Sequence, residues 1–457
     1  MIDTFSKIKS LLYIFQLSEY DAPFFLNWVR NHPDLENYLK TKKEPVWTLK
    51  AKLIFALTIL FSPFYLVFPK KLYCSLVLSC NFIKPLETII IFILVQKVKS
   101  KLKKHNNLIK IGIAGSYGKT TTKEFLAEIL SSRYRVLKTP ENINTLLGVA
   151  RLILKKLNED YHVLIVEMAT YKKGGIKKLC RMINPEMGIL TGLNASHLER
   201  FGSLDNIIKA KFEILKNLFS EGKSAFLNAD NPLIIKNFQI FFKNRVDFYG
   251  LNPEVEKTFN AKNIKISEKG LEFEIFKNGK FYFSAKVGIF GRHQIGPILL
   301  AISVADKLRL SKEEIITGIK NLKPLPRRLF ITKSREGITV IDDSYNISKD
   351  SIKTALEFLK EVFPANRKII ITAGLVEQGS EKSENNKWFG EKLKEVGDLI
   401  LLIKNSNTPF LLKGIGVPKN KILEYNNAKE LNSVLPRIFK SGDAVLIFPY
   451  DLPDHYY

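Results

Sequence analysis

The run Gly112-Ile-Ala-Gly115-Ser116-Tyr-Gly118-Lys119-Thr120-Thr121-Thr122 combines three glycines, a lysine and a series of hydroxyls at a spacing suited to an anion. It follows an apolar stretch at 108–113, expected to be a buried strand, and precedes residues 123–130, expected to be helical. A strand, a glycine-rich turn and a helix opening on Lys-Thr form a phosphate cradle. The N–H groups around Gly115, Ser116 and Gly118, and those of the first helical turn at Thr121, face the anion. Lys119 neutralises the outer phosphates, and the Thr120 hydroxyl can hold Mg2+. A strict G-x-x-x-x-G-K-[ST] motif would place its first glycine at 113, which is isoleucine here.

Two further residues have chemistry written into their positions. Glu167 ends the apolar run Val163-Leu-Ile-Val. A carboxylate at the end of a buried strand is costly unless it meets a cation or a donor. Lys211 lies four residues after Ile207 and three after Ile208, which puts its ammonium on a partly buried helical face.

The elements that must carry these residues follow from the alternation of apolar runs and amphipathic stretches. Strands are expected at 108–114, 163–167, 187–190 and 225–228, with helices at 123–130, 146–156, 176–182 and 204–218. This pattern argues for a mostly parallel sheet covered on both faces. Residues 247–290 read as a small antiparallel insertion. Lys323-Pro-Leu-Pro326 marks a boundary, and beyond it strands near 339–342, 368–372, 399–403 and 444–448 alternate with helices near 353–362 and 387–396. That second unit is expected to be Rossmann-like. The expected domains are therefore 1–105, 106–322 and 323–457.

Several blocks, in this order, resemble the Mur ligase family. The spacing of the phosphate loop is that family's variant. Thr139-Pro-Glu-Asn142-Ile-Asn144 is similar to its Asn-rich loop. Ser196-His197-Leu-Glu-Arg-Phe-Gly and Ala210-Lys211-Phe-Glu213 are similar to its metal-binding blocks. Gly291-Arg-His-Gln294 is similar to an adenine-contacting turn, with Gln in place of Asn. Arg327-Arg328-Leu and Asp342-Asp343-Ser-Tyr345-Asn346 are similar to the domain-junction motifs. Ala373-Gly-Leu-Val-Glu-Gln-Gly379 resembles a turn of the branch that adds D-alanyl-D-alanine.

The resemblance implies an α/β fold, a P-loop central domain and a C-terminal Rossmann-like domain; the apolar stretches ahead of it, outside the resemblance, are expected to form a helical, membrane-associated segment. It implies an ATP-dependent amide ligase that phosphorylates a carboxylate and lets an amine attack the acyl phosphate. The substrates would be a muramoyl peptide of the cell-wall precursor and D-alanyl-D-alanine or a similar amine. Lys119, His197, Lys211, Asn142 and Arg328 would be catalytic. Gln294, Arg328, Asp343 and Tyr345 would join the loop in holding ATP. Thr120, Glu167, His197 and a carbamylated Lys211 would hold two Mg2+ ions. Two cations about 4 Å apart repel strongly, so an added anion at Lys211 has a physical purpose.

The resemblance begins near residue 108. Ahead of it the family's uridine-nucleotide-binding domain is expected to be replaced by two apolar stretches, 53–68 and 72–95. A span needs about 20 apolar residues; the first stretch is short, and the second is expected to be interrupted by Lys84, Pro85 and Glu87. Lys97, Lys99, Lys101, Lys103 and Lys104 would hold the far end on the cytoplasmic side. The expectation is a hairpin, 53–95, that dips into or crosses the cell membrane with both ends at its cytoplasmic face, with lipid as a partner, and no cleaved signal peptide.

The net charge of +26 is carried mostly by scattered lysines, without a basic block interleaved with aromatics, so no nucleic-acid partner is expected. Cys74, Cys80 and Cys180 form neither a disulfide framework nor a metal-spaced cluster. Two other readings stand beside the leading one. One is a ligase acting on a lipid-linked or non-standard acceptor. The other is a membrane-anchored ATP-binding scaffold without ligase activity.

Overall fold

The computed structural model describes residues 4–32, 44–61, 72–141, 143–195, 198–219, 223–241, 246–345, 347–416 and 422–452. The chain divides into two compact units, residues 1–94 with 452–457, and residues 95–451.

The first unit is helical. Helices Thr4–Leu17, Ala22–Asn31, Leu49–Phe61 and the start of Leu72–Lys104 bury Leu12, Ile14, Phe15, Phe25, Ile54 and Leu76 against one another. Asp21 caps the second helix by accepting the Phe24 N–H at 3.0 Å. Lys50 and Glu87 pair at 2.8 Å, and the buried hydroxyls of Thr58 and Ser79 hydrogen-bond at 3.2 Å. The helix Leu72–Lys104 runs unbroken through Pro85, although Lys84, Pro85 and Glu87 interrupt its apolar run. Proline removes one helical N–H but not the apolar pattern on either side of it. Phe82, Leu86, Ile89, Ile90, Phe92 and Ile93 stand exposed on it. By length and composition it is a helix able to cross a membrane, with mean hydropathy 1.8 over its most apolar window.

The second unit holds two six-stranded sheets. In the first, β1 (Ile109–Ala114), β2 (Val136–Lys138), β3 (Val163–Glu167), β4 (Met187–Leu190), β5 (Ser224–Asn228) and β6 (Asp247–Tyr249) run in the order β2-β3-β1-β4-β5-β6, all parallel. Every residue of β3 is buried, as a parallel strand covered on both faces requires. Strand β1 lies between β3 and β4, where the strand order reverses, so the loop after it opens into the crevice at the carboxyl edge. The register sets Ile113 beside Glu167 and so fixes that carboxylate next to the loop. The Asp247–Tyr249 segment belongs to this sheet. The antiparallel insertion is confined to β7 (Phe259–Ser267), β8 (Gly270–Lys277) and β9 (Lys280–Val287).

The expected helix at 204–218 is two helices, Leu204–Lys211 and Glu213–Phe219. The break turns Glu213 toward a neighbouring helix, Gly175–Ile183, where its carboxylate accepts the N–H groups of Gly174 (2.5 Å) and Lys177 (2.9 Å). A cap supplied from 36 residues away leaves no mark in local periodicity.

The second sheet comprises β10 (Phe330–Lys333), β11 (Thr339–Asp342), β12 (Lys368–Thr372), β13 (Leu399–Ile403), β14 (Ile422–Tyr425) and β15 (Ala444–Ile447). Its order is β10-β11-β15-β12-β13-β14, with only β10 antiparallel. Its core is built from Ile341, Leu356, Leu359, Ile370, Phe389, Leu402 and Phe448.

Candidate active site

The loop after β1 is shaped by contacts that need glycine. Gly115 has φ +154°, and a Cβ there would lie 2.1 Å from Thr191 Oγ1. Thr191 in turn donates to the Tyr117 carbonyl at 2.5 Å. Gly118 has φ +77° and starts the helix Lys119–Leu130, whose first residues, Lys119, Thr120 and Thr121, stand at the mouth of the loop. The Tyr117 ring lies against Gly192, where a Cβ would sit 2.4 Å from the ring. The Tyr117 hydroxyl accepts from Asn231 Nδ2 at 3.0 Å, and burial pushes it up to about 12. Asn231 also donates to the Leu193 carbonyl and caps Ile234. Tyr117 and Asn231 are structural parts of the cradle that the sequence motif alone does not mark.

Lys119 Nζ donates to the carbonyls of Gly115 (2.9 Å) and Ser116 (3.2 Å). Enclosure in the cleft pulls its pKa down; Glu167 opposes this and Arg328 adds to it. Thr120 Oγ1 donates to Glu167 Oε2 at 3.1 Å, and Lys123 Nζ donates to the same oxygen at 3.1 Å. Burial alone would raise the Glu167 carboxyl, but Lys119, Lys123 and these hydrogen bonds outweigh it and hold it low. Its backbone N–H is fixed by Thr139 Oγ1 at 3.0 Å. Lys123 escaped the motif reading. Its signal is its place one turn after Lys119, on the face that Thr120 shares.

Lys211 ends its helix 3% exposed, as its spacing from Ile207 and Ile208 led one to expect. Its Nζ donates to the Thr170 carbonyl at 3.2 Å and lies 5.6 Å from the centre of the Phe201 ring. Burial, aided by repulsion from Lys119 and opposed by Glu213, lowers its pKa to about 7. It is therefore an amine available in its neutral, nucleophilic form near neutral pH.

The C-terminal half of the unit completes the cleft. Arg328 is flanked by Arg327 (φ +61°) and Leu329 (φ +51°), two non-glycine residues in the left-handed region. That turn stacks the Arg328 guanidinium 3.9 Å from the Tyr345 ring centre. The Tyr345 hydroxyl hydrogen-bonds the Thr120 side chain, so a residue from one sheet touches the phosphate loop of the other. Asp343 accepts the Leu329 N–H at 3.1 Å. Burial raises its carboxyl to about 7 against the pull of that N–H and of Arg328. A second link between the halves is the ion pair of Arg200 and Glu377 at 3.3 Å, with side chains 9% and 7% exposed. The Arg200 guanidinium also lies 4.5 Å from the Tyr171 ring centre. Neither residue was marked as a site residue in the sequence.

Asn142 and His197 lie outside the described residues. The remaining expected residues, Lys119, Thr120, Glu167, Lys211, Arg328 and Tyr345, are linked by the contacts and charge interactions given above. Gln294 sits on its own turn, Arg292–Gln294, preceding the helix Ile295–Lys307. It is 4% exposed, and among the described residues its Oε1 has no hydrogen-bond partner. Ser116 Oγ and Arg328 Nε are likewise buried without a partner. Unpaired buried polar atoms on the loop, the junction and the Gln294 turn are what a bound nucleotide would satisfy. The oxygen donors Thr120 and Glu167 suit a hard cation such as Mg2+. Among the described residues, no cluster of three His, Cys, Asp or Glu side chains could hold a metal by itself.

A phosphate cradle on one α/β sheet, closed by an arginine and a tyrosine from a second sheet, defines a nucleotide-dependent transferase or ligase. The profile of the Mur ligase middle domain matches residues 113–305, and that of the Mur ligase glutamate ligase domain matches residues 327–450. The UDP-N-acetylmuramoyl-tripeptide–D-alanyl-D-alanine ligase of Escherichia coli (strain K12) is 31% identical over 308 residues, covering 67% of each chain. The enzyme of the same name from Bacillus subtilis (strain 168) is 26% identical over 338 residues, 74% of this chain and 72% of that one. The crystal structure of MurF ligase from Thermotoga maritima in complex with ADP superposes with a TM-score of 0.69 at 26% identity, covering 79% of this chain and 80% of that one. The chain belongs to the Mur ligase family. It is an ATP-dependent ligase.

Proposed function

We propose that this ligase joins D-alanyl-D-alanine, through its amino group, to the terminal carboxylate of a muramoyl tripeptide in cell-wall synthesis. The observation that carries this reading is the meeting of Lys119, Thr120 and Glu167 from one sheet with Arg328 and Tyr345 from the other around one cradle. The names of the Escherichia coli and Bacillus subtilis relatives supply the substrates.

The γ-phosphoryl group of ATP passes to the carboxylate, leaving ADP and an acyl phosphate. The amine then attacks the acyl carbon, the C–N bond forms and inorganic phosphate leaves with the C–O bond electrons. Lys119 and the N–H groups of the loop hold the transferring phosphoryl group, and Arg328 offsets charge on its far side. Gln294 would contact the base and Asp343 the ribose, while Tyr345 would cover the nucleotide. Asn142 would lie near the phosphates. Mg2+ ions would be held by Thr120, Glu167, His197 and Lys211, and when bound they supply charge neutralisation between two anionic reactants. Lys211 supports that role because its neutral amine can add to CO2. The N–C bond forms, the nitrogen gives up one proton to solvent, and the neutral amine becomes a carbamate whose carboxylate carries one negative charge.

The exposed apolar stripe of the helix Leu72–Lys104, followed by its lysines, supports attachment of the first unit at the cytoplasmic face of a membrane. The same stripe favours a second reading in which the acceptor peptide is carried on a lipid.

Phosphate release by the detergent-purified chain with MgATP, UDP-linked muramoyl tripeptide and D-alanyl-D-alanine tests both. Release that needs all three supports the first reading. Release only when the acceptor is lipid-linked supports the second. ATP binding with no release in either mixture sinks ligation. Flotation with anionic vesicles tests attachment, and a chain that stays at the bottom of the gradient refutes it.

A further inference from the structure

We infer that Lys123 is a built-in counter-ion for Glu167, one that aims the carboxylate at Thr120 and keeps a free divalent cation from settling there ahead of the nucleotide. This rests on the proposed role of Thr120 and Glu167 as metal holders. Lys123 is fully buried, in the second turn of the helix Lys119–Leu130. Its Nζ lies 3.1 Å from Glu167 Oε2 and 3.6 Å from Glu124 Oε1. Glu124 is itself paired with Lys138. Thr120 Oγ1 donates to the same Glu167 oxygen as Lys123 does.

The choice of residue is informative. Lys119, the lysine of the motif, is turned onto the carbonyls of Gly115 and Ser116, so Lys123 is the cation in direct contact with Glu167. A fully enclosed ammonium is expensive, and an apolar side chain of like length would fill the space at less cost. Enclosure also means that Lys123 cannot swing into solvent when a second cation arrives. A divalent ion between Thr120 and Glu167 would therefore sit beside a fixed positive charge, and the repulsion must be offset by further anions. The phosphates of the nucleotide are those anions. Metal entry is thus coupled to nucleotide entry, and Lys123 acts as a positioning residue.

The test is titration of the full chain with Mn2+, read by electron paramagnetic resonance, with and without a non-hydrolysable ATP analogue. Wild type is expected to bind Mn2+ at this site at least about tenfold more tightly with the analogue than without it. Lys123→Met is expected to tighten binding of free Mn2+ at least about tenfold, and Lys123→Arg to keep the wild-type pattern. Lys123→Gln retains a hydrogen bond without the charge and is expected to behave as Lys123→Met. A residue that merely filled space would weaken metal binding when altered, so a gain separates the two roles. Wild type that binds free Mn2+ through Glu167 as tightly as it binds Mn2+ with the analogue overturns the inference, and this arm requires no Lys123 variant. So does unchanged or weakened free Mn2+ binding in a folded Lys123→Gln or Lys123→Met. Glu167→Gln separates the underlying reading: if Mn2+ binding with the analogue is untouched by it, the metal role of Glu167 fails first.

Discussion

Replacing Lys211 with methionine should stabilise the protein, by an amount that depends on pH. The lysine is 3% exposed, and burial lowers its pKa from the ordinary 10.5 to about 7. Below pH 7 both the folded and the unfolded chain carry the proton, and the full penalty applies, about 5 kcal/mol at 1.36 kcal/mol per unit. Between about pH 7 and 10.5 the unfolded chain still binds the proton and the folded chain does not. Stability therefore rises with pH across that window, by about 1.4 kcal/mol per unit. Methionine removes the charge but also the hydrogen bond to Thr170 and the contact with Phe201, a loss of about 1–2 kcal/mol. The net gain should be about 3 kcal/mol near pH 6.5 and close to zero near pH 9.5. Urea unfolding in CO2-free buffer, followed by hydrogen exchange in the helix Leu204–Lys211, reads this domain apart from its neighbours. An equal gain at both pH values would refute the reasoning. If Lys211 takes up CO2 as proposed, added bicarbonate should stabilise wild type near pH 8 and leave the variant, which has no amine there, unmoved. Ligase activity should be lost in the variant at every pH.

Gly115→Ala should cost at least about 2 kcal/mol and abolish nucleotide binding in calorimetry, since its Cβ would fall 2.1 Å from Thr191 Oγ1. Gly118→Ala has 3.6 Å of room and only its left-handed φ to accommodate, so about 1–2 kcal/mol is expected. Arg200→Ala and Glu377→Ala should each lower kcat/KM by at least about tenfold by removing one side of a buried ion pair that links the two halves, while the double variant recovers part of the loss. Strictly additive effects in that cycle would show that the pair does not couple. Asp343, raised to about 7, holds a proton in the folded protein that the unfolded chain releases near pH 4. Its contribution to stability is therefore lost as pH rises from about 4 to 7. ATP affinity should rise from about pH 6 to 8 as the carboxylate ionises to accept the ribose hydroxyls, and it should be flat in Asp343→Asn.

What could be read in the sequence was whatever is coded locally. The strands at 163–167, 187–190, 339–342, 368–372 and 399–403 coincide with apolar runs between polar breaks, and the structure keeps those limits. Lys211 was legible because two isoleucines share its helical face. The rest depends on partners far along the chain. Glu213 breaks a helix to cap another, Asn231 secures Tyr117 across 114 residues, and Arg200 meets Glu377 only once both sheets are in place. The short strands Val136–Lys138 and Asp247–Tyr249 have too few residues to show a period and are strands only because a sheet edge receives them.

The contact of Tyr345 with Thr120 changes what a nucleotide is to this fold. With the phosphate loop on one sheet and Arg328 and Tyr345 beside the other, a nucleotide held as proposed would be a cross-link between two domains. Its binding free energy adds to their cohesion, about 2.7 kcal/mol at a hundred times the dissociation constant. Cellular ATP would then set the rigidity of the enzyme as well as supply its chemistry, and a starved cell would hold a looser protein.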